Sequence, residues 1–429
     1  MVIVDSTRCC YCGGCVSVCP VDALTLAETR LIVNDNCTEC ENCVFACPVG
    51  ALHLEARTAD ARGATLQRRY DVIVVGAGPG GATAAHIAAQ AGLAVLLIEK
   101  RQEIGSPVRC AEGIGHEQLV QFIEPDSKWI AAEIHQLEIT THANGATQTQ
   151  RASGGHGYIL ERRVFDRALA ERAACAGATV RVKTSASGVL VENGTVRGIK
   201  IHDGTREVEI ESHIVIAADG IEAQVGRWAG LDTQLPLHDT MVCAQFLLAG
   251  IDVDPTCTYY TISEEFAPGG YVWIFPKGEG KANVGLGVQA DLPRRAQPIE
   301  LLTRFIETQP NLARGHPVSL IVGNVPVALP PAHIVGNGIM LVGDAARQVD
   351  PLTGGGIINA MIAGKLAAQT AVEAIAARDT SARFLARYAE VWHKTRGSKL
   401  ERNYRLREKF PPHYRTDERF VHAFMLATK

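Results

Sequence analysis

The chain has no excess of basic residues. Its 42 Lys and Arg stand against 46 Asp and Glu, a formal charge of −4, so no global field draws nucleic acid to it. It also has no uncharged, wholly apolar run that reaches the roughly 18 residues that span a bilayer, which excludes a polytopic membrane protein. The opening segment, MVIVDSTRCC, has neither the basic stretch nor the apolar core of a secretory signal. A cytoplasmic protein is expected, soluble or peripheral on the cytoplasmic membrane face. With 47% hydrophobic and 21% charged residues, the composition is neither that of a disordered chain nor that of a fibre. What remains is 429 residues of ordinary globular composition, more than one domain usually holds, so two or three folded units are expected.

Cysteine is where the sequence is rich. Nine of the thirteen lie within residues 9–47, a density that points to metal rather than disulfides in a long chain without an export signal. Cys9, Cys12, Cys15 and Cys19 form C-x2-C-x2-C-x3-C before Pro20; Cys37, Cys40, Cys43 and Cys47 repeat it before Pro48, at a constant offset of 28 residues. The flanks repeat too, Cys-Pro-Val-Asp-Ala-Leu-Thr-Leu against Cys-Pro-Val-Gly-Ala-Leu-His-Leu, so the segment is an internal duplication with its thiols in register. Paired Cys-x2-Cys also suits zinc. The full pattern, however, resembles the bacterial ferredoxin run, in which the fourth cysteine serves the other cluster. That resemblance implies one [4Fe–4S] cubane on Cys9, Cys12, Cys15 and Cys47 and a second on Cys37, Cys40, Cys43 and Cys19. Cys10 would spoil the spacing and is read as a bystander. So small a unit has little apolar core, and its clusters must supply much of its folding energy.

Residues 57–69 are polar and without apolar periodicity, and read as a linker after a 1–56 iron–sulfur domain. From Tyr70 the character changes to YDVIVVGAGPGG. A short buried β-run, Val72 to Val75, leads into Gly76, Gly78 and Gly81 at the start of an alanine-rich helix. A second strand, Ala94 to Ile98, ends at Glu99, 23 residues after Gly76. Strand, G-x-G-x-x-G, helix and acid at this distance make a dinucleotide-binding unit. The glycines allow a tight turn and close backbone approach, the helix start offers N–H groups to a pyrophosphate, and Glu99 can accept from a ribose hydroxyl. Further on, IVIAADG (214–220) and GIMLVGD (338–344) read as buried strands ending in Asp219-Gly220 and Gly343-Asp344. Gly354-Gly355-Gly356 then opens a long helical stretch from Ile357 to about Ala377. Each is also an ordinary turn signal. In this order they suit a flavin, since a helix start favours a group that becomes anionic on reduction.

Residues 70–380 resemble the geranylgeranyl reductase family of FAD enzymes, within the wider p-hydroxybenzoate-hydroxylase-like superfamily. The resemblance rests on GAGPGG (76–81), PVRCAEGIG (107–115), ERRVFD (161–166), GDAARQVDPLTGGGI (343–357) and YVWIFP (271–276). The Cys-Ala-Glu-Gly form at 110–113 looks like the archaeal-type lipid reductases. It implies FAD contacts from Gly80, Glu99, Cys110, Ala111, Gly113, Arg163, Ala186, Asp344, Gly356 and Ile357. The implied fold is an α/β and α+β multidomain chain. A ferredoxin-like unit precedes a Rossmann-like FAD-binding domain with an inserted antiparallel-sheet substrate domain, about 132–160 and 236–330, and a helical segment, 381–429, closes the chain. No second G-x-G-x-x-G occurs in a suitable setting, so the expected electron source is a low-potential donor such as reduced ferredoxin. Its electrons would pass through the clusters to FAD.

Tyr271, Trp273 and Phe275 alternate, presenting three rings on one side of a strand. They read either as core or as the wall of an apolar tunnel for an isoprenoid lipid. Cys110 reads either as a packed residue or as a group against the flavin that governs protonation. From residue 380 onward twelve basic residues stand against five acidic ones, interleaved with Phe384, Tyr388, Trp392, Tyr404, Phe410, Tyr414, Phe420 and Phe424. Such a segment suits either peripheral membrane contact or a solvated helical cap. The expected activity is reduction of isolated C=C bonds in geranylgeranyl lipids. A quinone reductase resembling the electron-transfer flavoprotein–quinone oxidoreductases and an electron carrier without its own substrate are the alternatives. Protein purified without oxygen should carry about eight irons, as two cubanes require, and one FAD; metal analysis finding zinc instead would end the ferredoxin reading.

Overall fold

The computed structural model describes residues 1–54, 67–143, 146–202, 207–292 and 296–428. The expected linker lies outside them at 57–66, and Arg69 already opens a strand. In the N-terminal unit, Ile3–Val4 pairs with Leu52–His53 and Leu24–Ala27 with Arg30–Val33, both antiparallel. Two short helices, Gly14–Ser17 and Asn42–Ala46, sit between them. The duplication reaches the backbone. Left-handed residues recur at the same offset, Tyr11 with Glu39, Gly13 with Glu41 and Asp22 with Gly50. So do two N–H···S hydrogen bonds, Ala23 to Cys19 Sγ at 3.2 Å and Ala51 to Cys47 Sγ at 3.1 Å. The core of this unit is Val2, Leu24, Leu31 and Leu52 packed among the thiols themselves.

The next layer is a mixed sheet. Thr179–Arg181, Val95–Ile98, Arg69–Val75, Glu207–Ala217 and Ile339–Leu341 run parallel in that order. Ser185–Glu192 and Thr195–His202 extend the Glu207–Ala217 strand as an antiparallel meander. The parallel strands are continuous apolar runs because helices cover them, Pro79–Gln90 and Ile357–Ala377 among these. Alanines along both helices are buried, which lets the two backbones pack closely.

A second eight-stranded sheet carries the order His316–Pro326, Thr240–Ala249, Lys281–Gln289, Tyr271–Pro276, Cys257–Ser263, Ile130–Ala143, Ala146–Leu160, Gly113–Gly115. It departs from the all-antiparallel expectation at one place. Cys257–Ser263 runs parallel to the Ile130–Ala143 strand, because the chain enters these two strands from separate segments rather than through a hairpin. On the back face Val272 and Ile274 pack with Leu301, Leu302 and Phe305 of the helix Pro298–Thr308. The front face is turned toward the first sheet, and the site lies between them.

Of the two readings of the C-terminal aromatic residues, the helices Ala382–Trp392, Ser398–Lys409 and Glu418–Thr428 fit the helical cap. Tyr388, Trp392, Phe410, Phe420 and Phe424 are buried, and Tyr414 alone of the eight is exposed. Most of their rings fill the core; of the charges between them Arg407 and Arg415 are buried as well, and the others are exposed or half-buried. Among the described residues no helix is long and apolar enough to cross a membrane.

Candidate active site

The Arg69–Val75 strand delivers the chain to Gly76, which takes φ 101°. A Cβ there would stand 2.3 Å from the carbonyl oxygen of Ala218, and one at Gly81 would stand 1.9 Å from that of Gly76. Only glycine permits this turn. Gly78, by contrast, faces open space, with nothing within 4 Å of where its Cβ would lie. It caps the Pro79–Gln90 helix without any side-chain cap, so the first N–H groups are left for a ligand. Glu99 stands at the end of the neighbouring strand, its carboxylate accepting from the N–H of Ala77 at 3.1 Å and of Arg101 at 3.0 Å.

This loop opens into a cavity of about 670 Å³ that continues between the two sheets. Gly76, Gly78, Gly80, Gly81, Glu99 and Ala186 line one end; Cys110, Ala111, Gly113, Asp344, Gly356 and Ile357 line the middle; Tyr271, Trp273 and Phe275 line the far wall. Arg163 is the exception. Its guanidinium is exposed and lies 3.6 Å from Glu103, whereas its neighbour Arg162 turns into the cavity. The first turn of the helix Arg162–Cys175 decides this, because adjacent helical residues point about 100° apart. Asp219 also lines the cavity; its Oδ2 accepts from Val225 N–H at 2.9 Å, but its buried Oδ1 has no partner. Burial pushes the carboxyls of Asp219 and Asp344 up. An open phosphate cradle, a ribose-accepting carboxylate and an orphaned buried carboxylate oxygen fit a dinucleotide such as FAD.

The middle of the cavity is held by a network that sequence reasoning missed. Glu112, buried and at φ 78°, accepts from Arg162 N–H at 2.7 Å, from Asn283 Nδ2 at 2.7 Å and from Lys277 Nζ at 2.7 Å. Lys277 is equally buried and also meets Glu161 at 2.9 Å. Asn283 donates in addition to the carbonyl of Ala111 at 3.2 Å, and Gln245 to that of Cys110 at 3.2 Å. The only sequence signal was that Glu112, Arg162 and Lys277 lie within or beside the quoted motifs; Gln245 and Asn283 lie outside them. Cys110 itself accepts from Glu112 N–H at 3.1 Å. Burial pushes its thiol up, opposed by the adjacent Arg162. Arg162 is held in turn by a bidentate pair with Asp166 at 2.8 and 2.7 Å.

The aromatic wall is tied to the same network. Trp273 Nε1 donates to Gln245 Oε1 at 2.7 Å, and the hydroxyl of Tyr271 donates to the carbonyl of Thr353 in the glycine-rich turn. Phe424 of the last helix closes the end, 5.0 Å from the Tyr271 ring and 5.5 Å from that of Tyr260. In the N-terminal unit a separate small cavity brings Cys19 to Cys37, Cys40 and Cys43. Cys9 and Cys12 both stand close enough to act on the Cys15 thiol, and Cys12 Sγ and the carbonyl of Ala46, next to Cys47, both approach Gly14. All eight thiols are unpaired, and soft sulfur donors in fours suit iron–sulfur cubanes.

Fold and site together define a flavin-dependent oxidoreductase carrying a ferredoxin-type iron–sulfur unit. Residues 2–25 and 31–53 match the 4Fe-4S binding domain, residues 69–279 an FAD binding domain, and residues 239–325 the geranylgeranyl reductase catalytic domain. Digeranylgeranylglycerophospholipid reductase 2 of Methanococcoides burtonii is 48% identical over 347 residues, 80% of this chain and 85% of its own. The digeranylgeranylglycerophospholipid reductase of Methanosarcina acetivorans is 50% identical over 338 residues, 77% of this chain and 82% of its own. A solved geranylgeranyl bacteriochlorophyll reductase-like structure from Thermoplasma acidophilum superposes with a TM-score of 0.76 at 43% identity, covering 80% of this chain and 87% of that one. The chain belongs to the geranylgeranyl reductase family.

The buried Glu112–Lys277 pair yields a stability prediction. Lys277→Met should cost about 3–5 kcal/mol, because it leaves a buried carboxylate uncompensated. The double variant Glu112→Gln/Lys277→Met should be less damaged than that single change. Denaturant unfolding of the wild type, Lys277→Met, Glu112→Gln and the double variant measures both, and additive losses would show the two groups to be independent.

Proposed function

We propose that this protein reduces isolated C=C bonds in the geranylgeranyl chains of a glycerophospholipid, the substrate class named for its relatives. The observation that carries this reading is one continuous cavity, running from the phosphate cradle past Cys110 to a wall of aromatic rings. An isolated alkene has no carbonyl to hold charge, so its reduction needs a strong hydride donor, a nearby proton and exclusion of water. When bound, FAD supplies the hydride and the clusters supply low-potential single electrons. The remaining tasks fall to side chains. Tyr271, Trp273 and Phe275 hold the chain and exclude water, with Phe424 closing the far end. The Cys110 thiol, kept protonated at neutral pH by burial, gives its proton to the second alkene carbon. Arg162 then stabilises the thiolate until a proton returns from solvent. Glu112, Lys277 and Asn283 keep the Cys110–Gly113 segment in place.

In this reading residues 1–56 are the electron-entry domain, with the cubanes on Cys9, Cys12, Cys15 and Cys47 and on Cys37, Cys40, Cys43 and Cys19. Residues 70–380 are the reductase, and 381–429 its helical cap. The donor is a low-potential protein such as reduced ferredoxin, and the setting is the cytoplasm beside the membrane that holds the lipid. Quinone reduction and pure electron carriage are second readings with no observation of their own in favour.

Dithionite-reduced enzyme without oxygen should convert a geranylgeranyl phospholipid to products about two mass units heavier per bond, the mass of the added hydride and proton, as mass spectrometry reads directly. Turnover of a short-chain quinone alone, with the lipid unchanged, would overturn the reading. Cys110→Ala should keep its FAD and lose turnover across neutral pH. Because burial raises the thiol, wild-type activity should persist below the ordinary cysteine range and fall only above it, as the thiol ionises. A variant with the wild-type rate and product pattern would return Cys110 to a packing role.

A further inference from the structure

The cations of the cavity fall into two groups. Arg162 is neutralised by Asp166 and Arg407 by Asp239 at 3.2 Å, while Arg415 donates to Gln289 at 3.1 Å. Arg109, Arg396 and Lys399 also line the cavity, yet none of these three side chains makes a hydrogen bond or an ion pair among the described residues. Arg109 stands exposed next to Cys110, whereas Arg396 and Lys399 lie three residues apart at the C-terminal helices. Arg396 is half-buried and Lys399 exposed, so the cavity meets solvent beside them. The half-burial acts on the Arg396 guanidinium with no carboxylate to offset it. A desolvated cation without a counter-charge is costly unless a ligand provides one.

Their position is the product of a local irregularity. The helix Ala382–Trp392 buries Leu385, Tyr388 and Trp392. Continued with regular spacing, that stripe would pass through residues 395 or 396 and then 399. Instead His393–Gly397 forms a wider π-helical turn, and the buried stripe resumes at Leu400, Asn403 and Arg407. The extra residue turns Leu400 into the core in place of Lys399, and leaves both cations beside the stripe, facing the cavity. Such single-turn irregularities persist where they serve a site. Leu352, Phe420 and Phe424 line the same cavity, so the two cations and an apolar lining share one continuous space.

We infer that Arg396 and Lys399 form the subsite for the phosphate of the lipid substrate, anchoring the head group at the cavity mouth while the isoprenoid chain enters toward the aromatic wall. The inference rests on the reductase reading above and adds to it the residues that select an anionic head group. It also separates two phosphates, the cofactor's at the Gly78 cradle and the lipid's at the π-helical turn.

The test compares a geranylgeranyl glycerophospholipid with the same lipid lacking its phosphate, using holoenzyme. In Arg396→Gln and Lys399→Gln the KM for the phospholipid should rise roughly tenfold or more, the size of a lost charge-assisted contact. The KM for the neutral lipid, kcat and FAD content should stay unchanged, and Arg396→Lys should recover most of the loss. Equal losses on both lipids, or no change on either, would overturn the inference. Loss of FAD from the variants would assign the cations to the cofactor instead. Binding of a saturated phospholipid needs no turnover, so weaker binding in the variants would support the subsite even if the wild type reduced neither lipid, a result that would sink the reductase reading alone. Inorganic phosphate competing as well as the lipid would make the site one for the free anion and overturn the head-group assignment.

Discussion

Burial of one carboxylate, that of Glu112, organises the active cavity. An ionised carboxylate removed from water is tolerated only when paired and fully hydrogen-bonded, and its partners come from three separate parts of the chain. Lys277 ends the aromatic strand, Asn283 lies on its neighbour, and the Arg162 N–H opens the helix beside the cavity. Satisfying that one charge therefore fixes the distance between the Cys110–Gly113 segment and the aromatic wall. It also compensates the left-handed backbone at Glu112, which a non-glycine residue adopts only where its surroundings demand it.

The rest of the site follows from the same tie. Gln245 passes the constraint from the carbonyl of Cys110 to the indole of Trp273, so the indole and the Cys110 segment are held in a fixed relation. Tyr271 extends it to the glycine-rich turn through Thr353. A cavity so braced can exclude water while keeping a thiol neutral, and both are conditions for protonating an alkene. The N-terminal unit is built on the opposite principle. Its small core packs a few aliphatic side chains around its own cysteines, so metal binding contributes directly to its folding.

Much of this was legible in the residues. The two cysteine runs, the G-x-G-x-x-G with Glu99 and the long helix after Gly356 are local patterns in which spacing alone dictates geometry, and the helix runs Ile357–Ala377 as its pattern implied. The alternation of Tyr271, Trp273 and Phe275 likewise put three rings on one face. Arg163 shows what such reading leaves open. Two adjacent arginines are equivalent in a motif, and only the helix phase sends Arg162 inward to Asp166 and Cys110 while Arg163 meets Glu103 in water.

The sequence by itself determined the cofactor chemistry, because thiol spacing and a glycine turn act within a few residues and need no distant partner. Tertiary structure alone decided which charges are spent and which remain free. Glu112 meets Lys277 across 165 residues, and Phe424 reaches Tyr271 from the last helix. One wider turn at His393–Gly397 leaves Arg396 and Lys399 facing the cavity rather than the core. Pairing of that kind depends on which surfaces fold against each other, and long-range burial, unlike local spacing, leaves no periodic trace in the order of the residues.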